Sequence, residues 1–361
     1  MATTSTYRTT PPATHPRCDV DDATSRAVPP AKTLAAGVVI IGRNEGTRLQ
    51  QCFSSVIHCG LPIVYVDSGS TDNSVALAHD LAIDTIELSA STQFSAARAR
   101  NAGLAHLLYD HPHIEAVQFL DGDSTISENW LERARTFLTT RPEIAAVCGR
   151  IREQHRDASI YNQLCELEWH SPMGQVPYCG GIAMIRVDAL KQVEGFNPTV
   201  IAAEDTELCI RLRLEGWKIW NLDTDMAFHD AAMTSPVQWW TRAMRAGHAF
   251  AQGASLHGQS PLRLFVRETR SAWFWGFILP ALMLVLAWPT HGASMLLASG
   301  YLLLSCRIYA SMRRKNHTKQ DALLYAAHCV VAKFPQIIGQ FKFHLNRIRG
   351  RHTAIIEHKK P

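Results

Sequence analysis

Four short apolar runs, each closed by a polar turn and followed by a helix-patterned stretch, constrain this chain more than any other feature. They are Val38-Val39-Ile40-Ile41, Ile63-Val64-Tyr65-Val66, a weaker one over Thr85 to Leu88, and Val117-Gln118-Phe119-Leu120. Runs of this length rich in β-branched residues suit buried parallel strands. Between them, Leu49, Cys52, Val56 and Ile57, then Val75 to Leu81, then Ala96 to Leu108 follow helical spacing. The alternation predicts βαβ units and a mainly parallel sheet, so the fold class is α/β. Ligands of such sheets bind beyond the carboxyl ends of the strands. Arg43, Asp67 and Asp121 stand at that edge.

Asp121-Gly122-Asp123 ends the fourth run. Side chains at i and i+2 of a strand share a face, so the two carboxylates can converge just past it, and Gly122 permits close backbone approach. Such oxygen donors suit Mg²⁺ or Mn²⁺ shared with a diphosphate. The other reading is an acidic turn. Further on, a helix is expected from Glu128 to about Thr139, capped by Thr125 or Ser127, then a strand over Ala145 to Ile151. Gly180 and Gly181 open a strand to Ile185, and a short helix covers Val187 to Val193. Ala203-Glu204-Asp205-Thr206-Glu207 begins a longer helix, and Trp217 to Phe228 returns as an extended segment ending at His229. Carboxylates in a first helical turn are stabilised by the dipole, so Glu204 and Asp205 serve either as capping charges or as functional groups.

The 361 residues hold 36 Lys and Arg against 32 Asp and Glu, a balance that implies no nucleic-acid partner. Nine cysteines without CxxC or CxxH spacing argue for a reducing compartment. Residues 1–35 are Thr-, Pro- and Ala-rich and read as a disordered tail, without the apolar core of a signal peptide. After a catalytic domain over 36–250 and a basic linker over 251–271, the composition changes. Ala272 to Pro289 and Gly292 to Cys306 carry no charge. A span needs roughly 20 apolar residues, about 17 at least, so 272–310 reads as a transmembrane hairpin kinked at Pro280. Arg263, Arg267 and Arg270 precede it, and Arg313, Arg314 and Lys315 follow. By the positive-inside rule both flanks, and the catalytic domain, face the cytoplasm. The tail over 311–361 reads as basic and amphipathic. Leu323 to Leu345 mixes an apolar stripe with Lys333, Lys342, His344 and Arg347, as a helix lying in the membrane interface and interrupted at Pro335 would.

In this order the motifs resemble the family 2 glycosyltransferases of the GT-A fold, from about Gly37 to Gly247. The carriers are Val39-Ile40-Ile41-Gly42-Arg43-Asn44-Glu45, Val66-Asp67-Ser68-Gly69-Ser70-Thr71-Asp72, Ala99-Arg100-Asn101-Ala102-Gly103, Leu120-Asp121-Gly122-Asp123 and Ala203-Glu204-Asp205. The resemblance implies a role for each. Gly42, Arg43, Asn44 and Glu45 would border base and ribose, Asp67 would bond the base, and Arg100 would neutralise nucleotide charge. Asp121, with Gly122 beside it, and Asp123 would meet ribose, diphosphate and metal, and His229 would be a third metal ligand. Asp205 would be the general base, oriented by Glu204. Gly180 and Gly181 lie on the acceptor or diphosphate side. Gln238-Trp239-Trp240-Thr241-Arg242-Ala243 resembles the Gln-x-x-Arg-Trp element of membrane polysaccharide synthases but departs at Ala243, which argues against processive synthesis. Arg242 and Arg245 could still bind a diphosphate or a lipid phosphate.

The expected function is that of an inverting, metal-dependent glycosyltransferase with Mn²⁺ or Mg²⁺ as cofactor. Its donor would be a nucleotide-sugar, UDP-linked, and its acceptor a lipid-linked saccharide, at the cytoplasmic face of a membrane whose lipids it contacts. Cell-envelope or exopolysaccharide assembly is the implied setting. A polyprenyl-phosphate sugar synthase and a membrane-anchored nucleotide-sugar-binding protein without catalysis are the alternatives.

Overall fold

A computed structural model describes residues 33–350. Most of the expected N-terminal tail and the end of the basic C-terminal segment lie outside the described residues. β1 (Ala36–Gly42), β2 (Ile63–Asp67), β3 (Asp84–Glu87) and β4 (Ala116–Asp121) pair in parallel in the order β3-β2-β1-β4. Between them run α1 (Thr47–Val56), α2 (Ser74–Asp80) and α3 (Ala96–Asp110). Val38, Val39, Ile40, Val117, Phe119 and Leu120 are fully buried, as strands covered on both faces require. The register sets Gly42 opposite Asp67 and Ile41 opposite Asp121, so three strands end at one level and their loops share an edge.

Beyond β4 the sheet turns mixed. β5 (Ser124–Ile126), β6 (Ile144–Glu153), β7 (Gly174–Val176), β8 (Ala183–Arg186) and β9 (Lys218–His229) complete the order β3-β2-β1-β4-β8-β6-β9-β5, with β7 on β9. β8 is antiparallel to β4 and β6, and β5 and β7 are antiparallel to β9, while β6 and β9 run parallel, so parallel and antiparallel pairs mix beyond β4. The segment expected to cap a helix at Thr125 instead forms β5. The helix that follows, α4 (Trp130–Thr140), starts from Asn129 in the left-handed region, φ 62°. Ser70 turns its hydroxyl to Asp67 rather than capping α2. α5 (Ile160–Trp169) was not anticipated, although Ser159 caps it and Leu164, Cys165 and Leu167 give it an apolar face. α6 (Val187–Gln192) and α7 (Glu204–Leu214) fall where expected.

The expected basic linker is largely helical. α8 (Pro236–His257) runs through its first part, and an apolar helix begins at Val266. Among the described residues, three helices are long and apolar enough to cross a membrane: Val266–Ala287, Ala293–Arg314 and Lys319–Ile348. Leu284 and Val285 are each 72% exposed and Leu303 is 70% exposed, a lipid-facing rather than water-facing distribution. A π-helical turn over Phe274–Ile278 precedes Pro280, the local device that bends the first of them.

The third helix is the segment expected to lie in the interface. It breaks at Ala332, one turn before Pro335, whose missing N–H cannot continue the hydrogen-bond ladder. Its second half packs on α8 at a crossing without side chains. A Cβ on Gly247 would collide with the Gln336 carbonyl, and one on Gly339 with the Met244 carbonyl. Small residues at a helix crossing allow this approach, and Trp273 and Phe341, 4.9 Å apart at their centroids, flank it. Gly247→Val or Gly339→Val should therefore cost about 1–3 kcal/mol by overpacking, read as a lower thermal midpoint in detergent. An unchanged midpoint for both would exclude this crossing.

Candidate active site

The loops after β1 and β2 are laced together by Asn44. Its side-chain oxygen accepts from the Thr71 N–H at 2.7 Å, and its own N–H donates to the Ser70 hydroxyl at 2.9 Å. Asn44 sits at φ 55°, a left-handed conformation that asparagine tolerates better than most residues. Asp67 closes the second loop. Its carboxylate accepts from the Tyr65 hydroxyl, the Gly69 and Ser70 N–H groups and the Ser70 hydroxyl, at 2.9, 2.9, 2.7 and 2.5 Å. The side chain is 1% exposed and does not reach the cavity; Ser68 does. The base contact implied for Asp67 is thus replaced by a loop-shaping role. Gly42, Arg43, Asn44 and Glu45 all line the cavity, whereas Gly122 lies behind it, its N–H bonded to the Ile41 carbonyl. Phe94, absent from the sequence reading, lines it too and lies under the Arg43 guanidinium, 5.4 Å from its ring centre.

The cavity holds about 950 Å³, the scale of a bound nucleotide-sugar with room beyond it. Arg100 stands in its wall and binds two carboxylates from different parts of the chain. One terminal nitrogen lies 2.8 Å from Asp121 Oδ1 at the end of β4, and the other 2.6 Å from Glu204 Oε1 at the start of α7. The guanidinium is 2% exposed. Protein carboxylates already neutralise it, so the role implied for Arg100 toward nucleotide charge becomes one of holding the site together. Gly181 makes room, since a Cβ there would collide with the same guanidinium. Burial disfavours an ionised Glu204, but the charges of Arg100 and Arg245 outweigh it and hold the carboxyl below its usual range.

Asp123 and His229 meet because β5 and β9 pair antiparallel with Ser124 opposite His229. Asp123 Oδ1 and His229 Nε2 are 3.4 Å apart, and both residues line the cavity with Asp121. Two ligands at about 2.1 Å on adjacent corners of an octahedron stand about 3 Å apart, so the pair fits one cation. Asp121 uses Oδ1 for Arg100, and its Oδ2 lies on the Gly181 side. Two carboxylates and an imidazole are a donor set for Mn²⁺ more than for Mg²⁺, which prefers oxygen alone. Trp169, with its ring 4.7 Å from the imidazole, limits how His229 can turn.

Asp205 lines the same cavity. Ala203, the residue before α7, holds φ 58°, a strained conformation for a residue with a Cβ, and it swings the first turn of the helix toward the cavity. Asp205 Oδ1 accepts from the Thr206 N–H at 2.6 Å. Burial, then the neighbouring Glu204 charge, push its carboxyl up to about 7 against the pull of Arg100. A carboxylate poised there can take a proton near neutrality.

The α8 motif is partly consumed by structure. Gln238 completes a capping box with Ser235, Trp239 is buried against Tyr161 and His328, and Arg242 is ion-paired with Glu168. Arg242 is therefore not free for an acceptor or diphosphate. Arg245 lines the cavity with only a 3.4 Å hydrogen bond to the Ile201 carbonyl. Gly180 and Gly181 also line it, as expected.

Breaking a buried ion pair from one side costs about 3–5 kcal/mol because the other charge is left uncompensated. Arg100→Met should lower stability by that order in chemical unfolding. Arg100→Lys should not restore it, since an ammonium cannot span two carboxylates in a fork. Wild-type stability in Arg100→Met would refute the bridge.

A family model described as glycosyl transferase family 2 matches residues 37–193, and one described as glycosyl transferase family group 2 matches residues 116–332. The pre-mycofactocin glycosyltransferase of Mycobacterium tuberculosis is 28% identical over 210 residues, 54% of this chain and 42% of that protein. The O-antigen chain rhamnosyltransferase RfbN of Salmonella typhimurium is 26% identical over 172 residues, 44% of this chain and 53% of that protein. The chain thus spans about half the length of these curated relatives. Among solved structures, the mannosyltransferase PcManGT from Pyrobaculum calidifontis, in complex with GDP-Man and Mn²⁺, shares the fold. Its TM-score is 0.57 at 19% identity, over 87% of this chain and 88% of that one. With one model covering more than half of the sequence and another the strands and loops of the site, the chain belongs to glycosyltransferase family 2.

Proposed function

We propose that the protein is an inverting, metal-dependent glycosyltransferase that moves a sugar from a nucleotide-sugar to a hydroxyl of a lipid-linked saccharide at the cytoplasmic face of a membrane, in envelope or exopolysaccharide assembly. One observation carries the reading: a metal-type donor set (Asp121, Asp123, His229) and a carboxylate poised near neutrality (Asp205) share one cavity. The acceptor hydroxyl gives its proton to Asp205 as its oxygen bonds to the anomeric carbon. The bond from that carbon to the diphosphate breaks on the far side, and its electron pair leaves with the nucleoside diphosphate. A single displacement of this kind inverts the anomeric centre. A divalent cation held by Asp121, Asp123 and His229 would act as a Lewis acid on the leaving diphosphate. The Mn²⁺ in the mannosyltransferase of the same fold supports that choice of ion. Arg43, above Phe94, and Asn44 offer the rim on which the nucleoside rests.

Three helices of membrane length support placement at a bilayer, with the basic residues flanking the first two on one side of it. An ionisable Asp205 favours a hydroxyl acceptor, because a phosphate acceptor needs no base.

Release of nucleoside diphosphate from a panel of UDP- and GDP-sugars with Mn²⁺ tests the reading. Asp123→Ala and His229→Ala should lose Mn²⁺-dependent release, and Asp205→Asn should lower turnover onto acceptor about 10²–10⁴-fold, the usual worth of a general base. Persisting Mn²⁺-dependent release in Asp123→Ala would sink the metal assignment. Because the Asp205 carboxyl titrates near 7, the base is protonated and inactive below that pH. Accordingly kcat/KM should rise about tenfold per pH unit up to about 7 and then level off. A limb near pH 4, where an unperturbed carboxyl titrates, would remove Asp205 from that role.

A further inference from the structure

The cavity continues past the transfer site between α8 and the third apolar helix. Arg242, Ala246 and Ala249 face it from α8, and Cys329, Lys333 and Gln336 from the other side, each set at helical spacing. The three cations there are not equivalent. Arg242 is neutralised by Glu168. Arg245 donates only to the Ile201 carbonyl, and Lys333 Nζ donates only to Gln336 Oε1 at 3.3 Å. Among the described residues, neither makes an ion pair with a carboxylate. Glu204 feels the Arg245 charge but is bound to Arg100, and Glu268 lines the same stretch yet is exposed to water.

Lys333 lies in a 30-residue segment whose most apolar 18-residue stretch has mean hydropathy 1.3. A cation there that faces a cavity with no carboxylate in ion-pair contact, and with only the water-exposed Glu268 acting on it from farther off, calls for an anionic partner. Gly247 and Gly339 lock its helix against α8, so the ammonium and the Arg245 guanidinium are carried on one rigid pair. The same helix exposes Leu323 and Phe341, so a ligand anchored by apolar chains can lie along it.

We propose that Arg245 and Lys333 form a phosphate-binding subsite that holds the phosphate or diphosphate of the lipid-linked acceptor. This rests on the glycosyl-transfer reading of the cavity. The donor diphosphate belongs with the metal ligands, so two phosphate sources meet two separate cationic centres. Arg245 donates a planar fork and Lys333 a compact point charge, a combination suited to a tetrahedral oxyanion.

The test uses the full chain in detergent micelles and three probes: a long-chain polyprenyl monophosphate, the uncharged polyprenol of the same length, and nucleoside diphosphate with Mn²⁺. The lipid phosphate should bind at least tenfold more tightly than the polyprenol. Lys333→Gln and Arg245→Gln should each erase most of that difference, Lys333→Arg should keep it, and nucleoside diphosphate affinity should not change in Lys333→Gln. If Lys333→Gln fails to fold, Arg245→Gln carries the test. Equal binding of lipid phosphate and polyprenol by the wild type would overturn the subsite, as would full lipid-phosphate affinity in both Gln variants. Loss of nucleoside diphosphate affinity in Lys333→Gln would also overturn it, by assigning Lys333 to the donor. If the wild type binds no nucleoside diphosphate at all, the glycosyl-transfer reading itself fails, a result separable from failure of the subsite alone.

Discussion

The site depends on the bridge from Arg100 to Asp121 and Glu204. Three acids, Asp121, Glu204 and Asp205, would otherwise crowd one cavity wall and repel each other. A buried guanidinium placed between the first two binds both and holds the Glu204 carboxyl below its usual range, while burial and the Glu204 charge push Asp205 up to about 7. The guanidinium also ties α3 to β4 and, across 104 residues of sequence, to α7. Gly181 is the steric condition for that contact.

A second dependence runs between the α/β part and the apolar helices. α8 starts beside the site, carries Arg242 and Arg245 along its wall, and ends among the membrane-length helices. Trp239 against His328 and Arg156 against Asp321, at 2.7 Å, pin the third apolar helix to the catalytic part. The cavity is thus shared by a sheet edge and the apolar helices.

Much of the site was legible because its parts are local. Asp121 and Asp123 at a strand end, Asp205 in a first helical turn and His229 at the end of an extended run are each marked by a few residues, and all four line the cavity. The roles of Arg100, Asp67 and Arg242 were not legible, since each is decided by a partner that only folding supplies: Glu204, the backbone of its own loop, and Glu168. Phe94 stands in no motif, and the local mark of α5 is its Ser159 cap. The third apolar helix read as interfacial because Lys333 and Pro335 interrupt it. Both are accommodated once α8 covers that face.

By itself the sequence determined the α/β class, the GT-A fold of its N-terminal half and the loops that carry chemistry, because strand period, glycine placement and strand-end carboxylates are short-range properties. The tertiary structure alone decided which charges are neutralised and which remain open. A cation's availability depends on whether a carboxylate stands within a few ångströms, and that distance is set by packing between elements, not by spacing along the chain. Asp121-Gly122-Asp123 could be read from the sequence; that Arg100 would be spent on it, and Arg245 and Lys333 left facing the cavity, could not.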